Sequence, residues 1–242
     1  MALIDLANPQ RFLALARWLV PAFAVLAFVL LAAGLALGFR APADYQQGET
    51  VRIMYIHVPS AWLALGIYTL MACASLGTLV WRHPLADVAA KAAAPIGAAF
   101  CLICLVTGAL WGRPMWGAYW VWDARLTSVL VLFLLYLGIL ALWRAIEEPG
   151  QAGRAVAILT LVGFINVPIV KFSVDWWNTL HQPASVFRLD GPTIHPAILT
   201  PLLVSALGFA ALFLALHLAA MRNEILRRRV RTMRLVAAAE AR

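Results

Sequence analysis

Six apolar stretches, each about as long as a lipid bilayer is thick, dominate this chain and leave few folds open to it. They fall at about 18–38, 58–81, 93–112, 126–144, 155–173 and 198–220. Roughly 20 apolar residues in helical form cross the hydrocarbon layer. Lipid offers no partner to an unpaired peptide group, so each stretch is expected to be an α-helix. The expected fold is an all-α membrane protein of six transmembrane helices. It forms a single integral membrane domain over 1–242, whose last segment, 221–242, is a basic tail. The first run is of full spanning length, so it is expected to be a span and not a cleaved signal. Of the 242 residues, 64 % are apolar and 12 % charged. A soluble domain carries about twice that share of charge, and this chain lacks the polar surface to cover a soluble globule.

The formal charge of +8 would suggest nucleic acid in a soluble protein. Here seven of the nineteen basic residues follow Met221, among them Arg227, Arg228, Arg229, Arg231 and Arg234. That tail reads as cytoplasmic anchoring beside anionic lipid, with no nucleic-acid role. With the N-terminus in the cytoplasm, thirteen basic residues lie inside and six outside, so both termini are expected to be cytoplasmic. The inner connections are short. The outer ones, 39–57, 111–125 and 174–197, are longer and rich in aromatic and polar groups, so function is sought there.

The outer connection between the third and fourth spans holds four of the ten tryptophans within Trp111–Asp123. An aromatic belt spreads one or two such residues per helix end and does not gather four in one place. Gly112, Gly117 and Pro114 are expected to interrupt the helix after the third span. Residues 116–122 would then lie along the surface as a flat apolar platform suited to a flat apolar ligand. Asp123 stands where the fourth span needs an N-cap.

The run from Trp111 to Ser128 resembles the tryptophan-rich WWD signature of the haem-handling protein family of cytochrome c maturation. Chain length and six spans are similar to the CcmC branch of that family. The segments His57-Val58-Pro59-Ser60-Ala61-Trp62, Asn166-Val167-Pro168 and Phe172 through Gln182 extend the resemblance over most of residues 50–205.

His57 and His181 are two of five histidines, and topology puts both at the depth of the tryptophans. His83 and His217 belong to the inner side, and His195 begins the sixth span as a reserve ligand. Neutral imidazole is a common ligand of haem iron. The resemblance implies that His57 and His181 are the axial ligands, so that the metal is haem iron. It implies a platform of Trp111, Trp116, Tyr119, Trp120, Trp122 and Asp123. Haem propionates need cations, and Arg113, Arg125, Arg52 and Arg188 are the outer arginines able to reach them.

The implied activity is non-enzymatic: a chaperone that binds b-type haem transiently and without a covalent bond. It would hold haem at the periplasmic face of the bacterial inner membrane and deliver it to the periplasmic haem chaperone CcmE. The implied assembly includes the ABC transporter CcmAB and the single-span CcmD. Two alternatives stand beside it. A membrane b-type cytochrome in quinone-linked electron transfer would hold haem within its spans. A haem or solute transporter would carry ionisable groups at mid-membrane, and no span has one at its centre. Cys101 and Cys104 form a C-x-x-C inside an apolar run, where thiols act as small apolar residues and no redox role is expected.

Overall fold

The computed structural model describes residues 8–241, so residues 1–7 and position 242 of the expected domain lie outside the described residues. Among the described residues there are seven helices: α1 (Pro9–Arg40), α2 (Met54–Val80), α3 (Ala86–Trp116), α4 (Ala124–Ala145), α5 (Pro149–Gly163), α6 (Asn166–Trp176) and α7 (Pro196–Glu240). A 3-10 turn, Glu49–Ile53, leads into α2. Six stretches are long and apolar enough to cross a membrane, counting the 3-10 turn with α2 and α5 with α6. Among the described residues the only β pairing is an isolated bridge between Asp44 and Gly48.

The ends of these helices follow from local chemistry. The Asn8 side chain accepts from Gln10 N at 2.8 Å and Pro9 takes the first turn, where its missing N–H costs nothing. Glu148 caps α5 in the same way, again with proline following.

Two helices depart from the sequence reading. The third span runs through Gly112 and Pro114 to Trp116, so half of the tryptophan-rich segment is helix. Pro114 sits in the last turn and removes a single ladder hydrogen bond. The helix stops where Gly117 adopts φ 76°, a left-handed conformation that other residues enter at a cost. Only 117–123 is loop. The fifth span, expected over 155–173 with a kink at Asn166 and Pro168, is two helices joined at Phe164 and Ile165. Pro168 cannot donate to the Phe164 carbonyl, which instead accepts from Val167 N at 3.0 Å in a tighter turn. Asn166 Nδ2, just past the break, donates to Ser128 O on α4 at 2.9 Å.

The central core packs α2, α3, α4 and α5 around Ile67, Tyr68, Met71, Leu132, Tyr136, Ile139 and Val156. Tyr68 and Tyr136 meet edge to face at 5.2 Å, and Tyr136 Oη donates to Ala64 O at 2.7 Å. In lipid there is little hydrophobic drive between helices, so close fit and such cross-helix bonds supply much of the cohesion. A second cluster, of Val51, Met54, Tyr55, Ile198 and Leu202, packs with Trp62 and Trp111 and forms the floor beneath one face. A third joins Leu85, Val88, Met221 and Ile225 at the opposite face. There Glu224 receives Lys91 Nζ at 2.8 Å and Arg228 Nε at 3.0 Å, and Arg228 also pairs with Asp87 at 2.7 Å.

Candidate functional site

His57 occupies the start of α2, and its ring lies against one face of α3. Three α3 residues make that face. Thr107 Oγ1 is 3.0 Å from His57 Nδ1. At Gly108 a Cβ would stand 3.0 Å from His57 Cε1, closer than ordinary contact, so a side chain there would push the ring back. Trp111, four residues after Thr107 and so on the same face, meets the imidazole edge to face at 5.6 Å. Trp111 is fixed in turn: its Nε1 donates to Gln47 Oε1 at 3.1 Å. The 41–53 connection thus closes over the end of α3, with Thr50 Oγ1 bonded to Gln47 O at 2.7 Å.

His181 comes from the long connection between α6 and α7. Its ring meets Trp116 at 4.9 Å, and its Nδ1 is 3.4 Å from Asp123 Oδ2. The other Asp123 oxygen, Oδ1, accepts from Leu126 N at 2.7 Å and caps α4. One carboxylate therefore ends the tryptophan-rich loop, starts α4 and faces His181. Thr179 Oγ1 accepts from His181 N at 3.2 Å, and Leu180 N donates to Asp123 Oδ2 at 3.3 Å, so the backbone beside the imidazole is tied down as well. Burial is the larger influence on His181 and lowers its pKa below the ordinary value; the Asp123 charge opposes that without reversing it. At neutral pH the ring is uncharged.

The two histidines, Trp111, Trp116 and Asp123 therefore gather at the ends of α2, α3 and α4. Trp120 and Trp122 pair edge to face with each other at 5.4 Å and make no ring contact with either histidine. Trp122 is 74 % exposed, whereas Trp120 Nε1 is buried with no hydrogen-bond partner. Tyr119 is 59 % exposed and lies under the Arg113 guanidinium at 5.8 Å.

The four candidate arginines are placed differently from one another. Arg113 donates to Gly117 O, Arg52 pairs with Glu49 at 2.8 Å, and the Arg125 Nε donates to Ser173 Oγ at 2.7 Å. Arg125 also reaches Lys171 O at 3.4 Å, so it ties α4 to α6. Among the described residues Arg188 has no side-chain partner, and it is exposed. The reserve ligand, His195, caps α7 by accepting from Ala197 N at 3.2 Å. His217 is buried near the opposite face, stacked on Phe213 at 5.2 Å. Cys101 and Cys104 are buried free thiols, with Cys101 Sγ 3.6 Å from Val129 O.

Sequence reasoning missed Thr107, Gln47 and the second contact of Asp123. The spacing of Thr107 to Trp111 was the available signal, because it puts a hydroxyl on the tryptophan's own helix face.

Comparisons with known proteins place the chain. Residues 2–236 match the family model CcmC, described as heme exporter protein C. Heme exporter protein C of Bradyrhizobium diazoefficiens (strain USDA 110) is 66 % identical over 238 residues, covering 98 % of this chain and 90 % of the relative. The Escherichia coli K12 protein of that name is 50 % identical over 223 residues, covering 92 % and 90 %. A putative cytochrome c biosynthesis ccmC-like mitochondrial protein of Marchantia polymorpha is 50 % identical over 169 residues, covering 70 % and 71 %.

Proposed function

The chain belongs to the heme exporter protein C (CcmC) family, and on that premise we propose that it holds haem between His57 and His181 and passes it on during c-type cytochrome biogenesis. One observation carries the reading. Two imidazoles stand at one rim of a helix bundle, His57 with Nδ1 hydrogen-bonded to Thr107, His181 with Nδ1 3.4 Å from the Asp123 carboxylate, and each ring is backed by an indole. Among the described residues neither Nε2 has a hydrogen bond. Neutral imidazole nitrogens free on one side suit iron held from two faces, a site that keeps haem and leaves no open position for oxygen chemistry. The buried Trp120 Nε1 offers an unspent donor for an acidic edge of the ligand.

The haem is cargo in this reading, bound as b-type haem without a covalent bond. Trp116 and Trp111 flank the histidines, and Tyr119, Trp120, Trp122 and Asp123 complete the platform. Of the four candidate arginines, Arg188 is the one with its guanidinium uncommitted among the described residues, and the leading candidate for a propionate. Arg113, Arg125 and Arg52 would serve only by leaving or sharing their present partners. A rim site suits transfer, since release does not require helices to part.

The histidine rim faces the periplasm of a bacterial inner membrane in this proposal, supported by the excess of basic residues at the opposite face. The acceptor is a CcmE-like periplasmic haem chaperone, and CcmAB with CcmD completes the assembly. This chain has no phosphate-cradling Gly-Lys-Ser/Thr loop, so energy for release comes from such partners or from differential affinity between haem states.

The test is spectroscopic. Purified with its haem, the protein should show low-spin bands that are lost or weakened in His57→Ala and in His181→Ala. Unchanged haem content and bands in both variants would overturn the assignment. Replacing Trp116, Trp120 and Trp122 together with alanine should lower the yield of haem reaching the acceptor. Normal yield would remove the platform from the site.

A further inference from the structure

The two histidines differ in what stands behind them. Thr107 Oγ1 donates its single proton to its own helix, to Ile103 O at 2.6 Å. With that bond made, the hydroxyl accepts from His57 Nδ1, the arrangement this geometry favours. Asp123 Oδ2 lies 3.4 Å from His181 Nδ1, which has no hydrogen-bond partner in this structure; a carboxylate can only accept, so closing that gap calls for a proton on Nδ1. In the Nδ1–H tautomer both rings present a bare Nε2 lone pair. The partners are unequal, however. A neutral hydroxyl backs His57, and a carboxylate backs His181. A carboxylate behind a ligating imidazole raises its basicity and strengthens its hold on a metal.

Resting on the haem reading above, we propose that Thr107 and Asp123 are positioning residues that set both imidazoles to present Nε2, and that their inequality makes His181 the ligand that keeps the iron and His57 the ligand that lets go first. Asp123 adds a second coupling. Its Oδ1 caps α4 while its Oδ2 faces His181, so the retaining ligand is registered to the end of the tryptophan-rich loop. Thr107 is registered to Trp111 by one helical turn, so the releasing ligand moves with α2 against α3. Haem handed onward in this way stays tethered at His181 while its other axial position opens toward the acceptor.

The first experiment needs no haem. Nitrogen-15 NMR of the detergent-solubilised full chain, labelled at histidine, should show the Nδ1–H tautomer for His57 and for His181. An Nε2–H tautomer at either ring would overturn the proposal whatever the fate of the haem reading. The second uses purified haem-loaded protein in its ferrous carbon monoxide form. Carbon monoxide takes the place of the weaker ligand, and the Fe–CO and C–O stretching bands report the ligand opposite. Asp123→Asn keeps the helix cap, because asparagine caps as well as aspartate does, but removes the charge. It should shift those bands, raise the midpoint potential and lower haem affinity by about 10- to 100-fold. Asp123→Glu should restore part of each change. Thr107→Val should lower affinity by about tenfold and leave the carbon monoxide bands where they are. Bands that move with Thr107→Val and not with Asp123→Asn would reverse the roles of the two histidines and sink the proposal. If the wild type shows no low-spin haem dependent on His57 and His181, the haem reading fails separately, and the tautomer measurement still decides the positioning claim.

Discussion

Replacing Gly108 with alanine should weaken haem binding while leaving the fold nearly as stable as before. The added methyl would sit 3.0 Å from His57 Cε1, and ordinary contact begins near 3.4 Å, so the ring must retreat by about 0.4 Å. The hydrogen bond to Thr107 then stretches from 3.0 Å to about 3.4 Å, close to the limit of useful geometry. Its loss costs about 0.5–1.5 kcal/mol. Against this, alanine in a helix interior is favoured over glycine by about 0.5–1 kcal/mol. The two nearly cancel in folding. They do not cancel in binding, because the retreat turns His57 away from its aim, and a lost outer-shell partner costs about tenfold or more in metal affinity. Thermal unfolding in detergent and haem titration of the same preparation separate the two effects. An unchanged affinity would refute the claim that the α3 face aims His57. A loss of stability well beyond 1 kcal/mol would refute the claim that the ring yields.

Tyr136→Phe should lower the unfolding free energy by about 1 kcal/mol, seen as a lower Tm, because the buried bond from Tyr136 Oη to Ala64 O disappears without a cavity. Haem binding should not change. Glu224→Gln should cost roughly 2 kcal/mol, since Lys91 and Arg228 lose a shared counter-charge; partial exposure of Lys91 keeps the figure below that of a fully buried pair. Pairing it with Lys91→Met should recover part of the lost Tm. Burial lowers the His181 pKa below its ordinary 6.5. The unfolded chain therefore takes up its proton first as pH falls, so the stability this ring contributes is present above about 6.5 and is lost on going down toward the folded pKa. Haem binding, which needs the neutral ring, should hold steady from pH 8 to about 6.5 and fall only below that. A midpoint above 6.5 in a spectroscopic pH titration would contradict the burial.

Much of this architecture is legible in the sequence because lipid leaves so few options. An apolar run of spanning length has to be helical, and six were countable. The break at Phe164 and Ile165 was less visible, since Asn166 and Pro168 signal a kink without saying whether the ladder bends or parts. Pro114 misled in the opposite direction. Proline in a last turn removes one bond and does not stop a helix that Gly117 stops three residues later. At the site, the topology brought His57, His181 and the tryptophans to one depth. The partners of each group were not readable. Arg125 looked free to meet a ligand, yet it bonds Ser173, 48 positions away, a pairing that only the packing of α6 on α4 creates.

The length of α7 has a consequence of its own. A helix of 45 residues measures about 67 Å, roughly twice what the hydrocarbon layer can contain. Its N-terminus, capped by His195, stands at the rim of the histidines, so the surplus must emerge at the other face. The chain thus carries a mast: residues beyond Met221 continue the packed helix for about 28 Å, tied at the base to Asp87 through Arg228 and to Glu147 through Arg231. Whatever body docks against that face meets the arginine-studded mast before it meets lipid. A spin label near residue 240 should therefore sit far beyond the reach of quenchers confined to the bilayer.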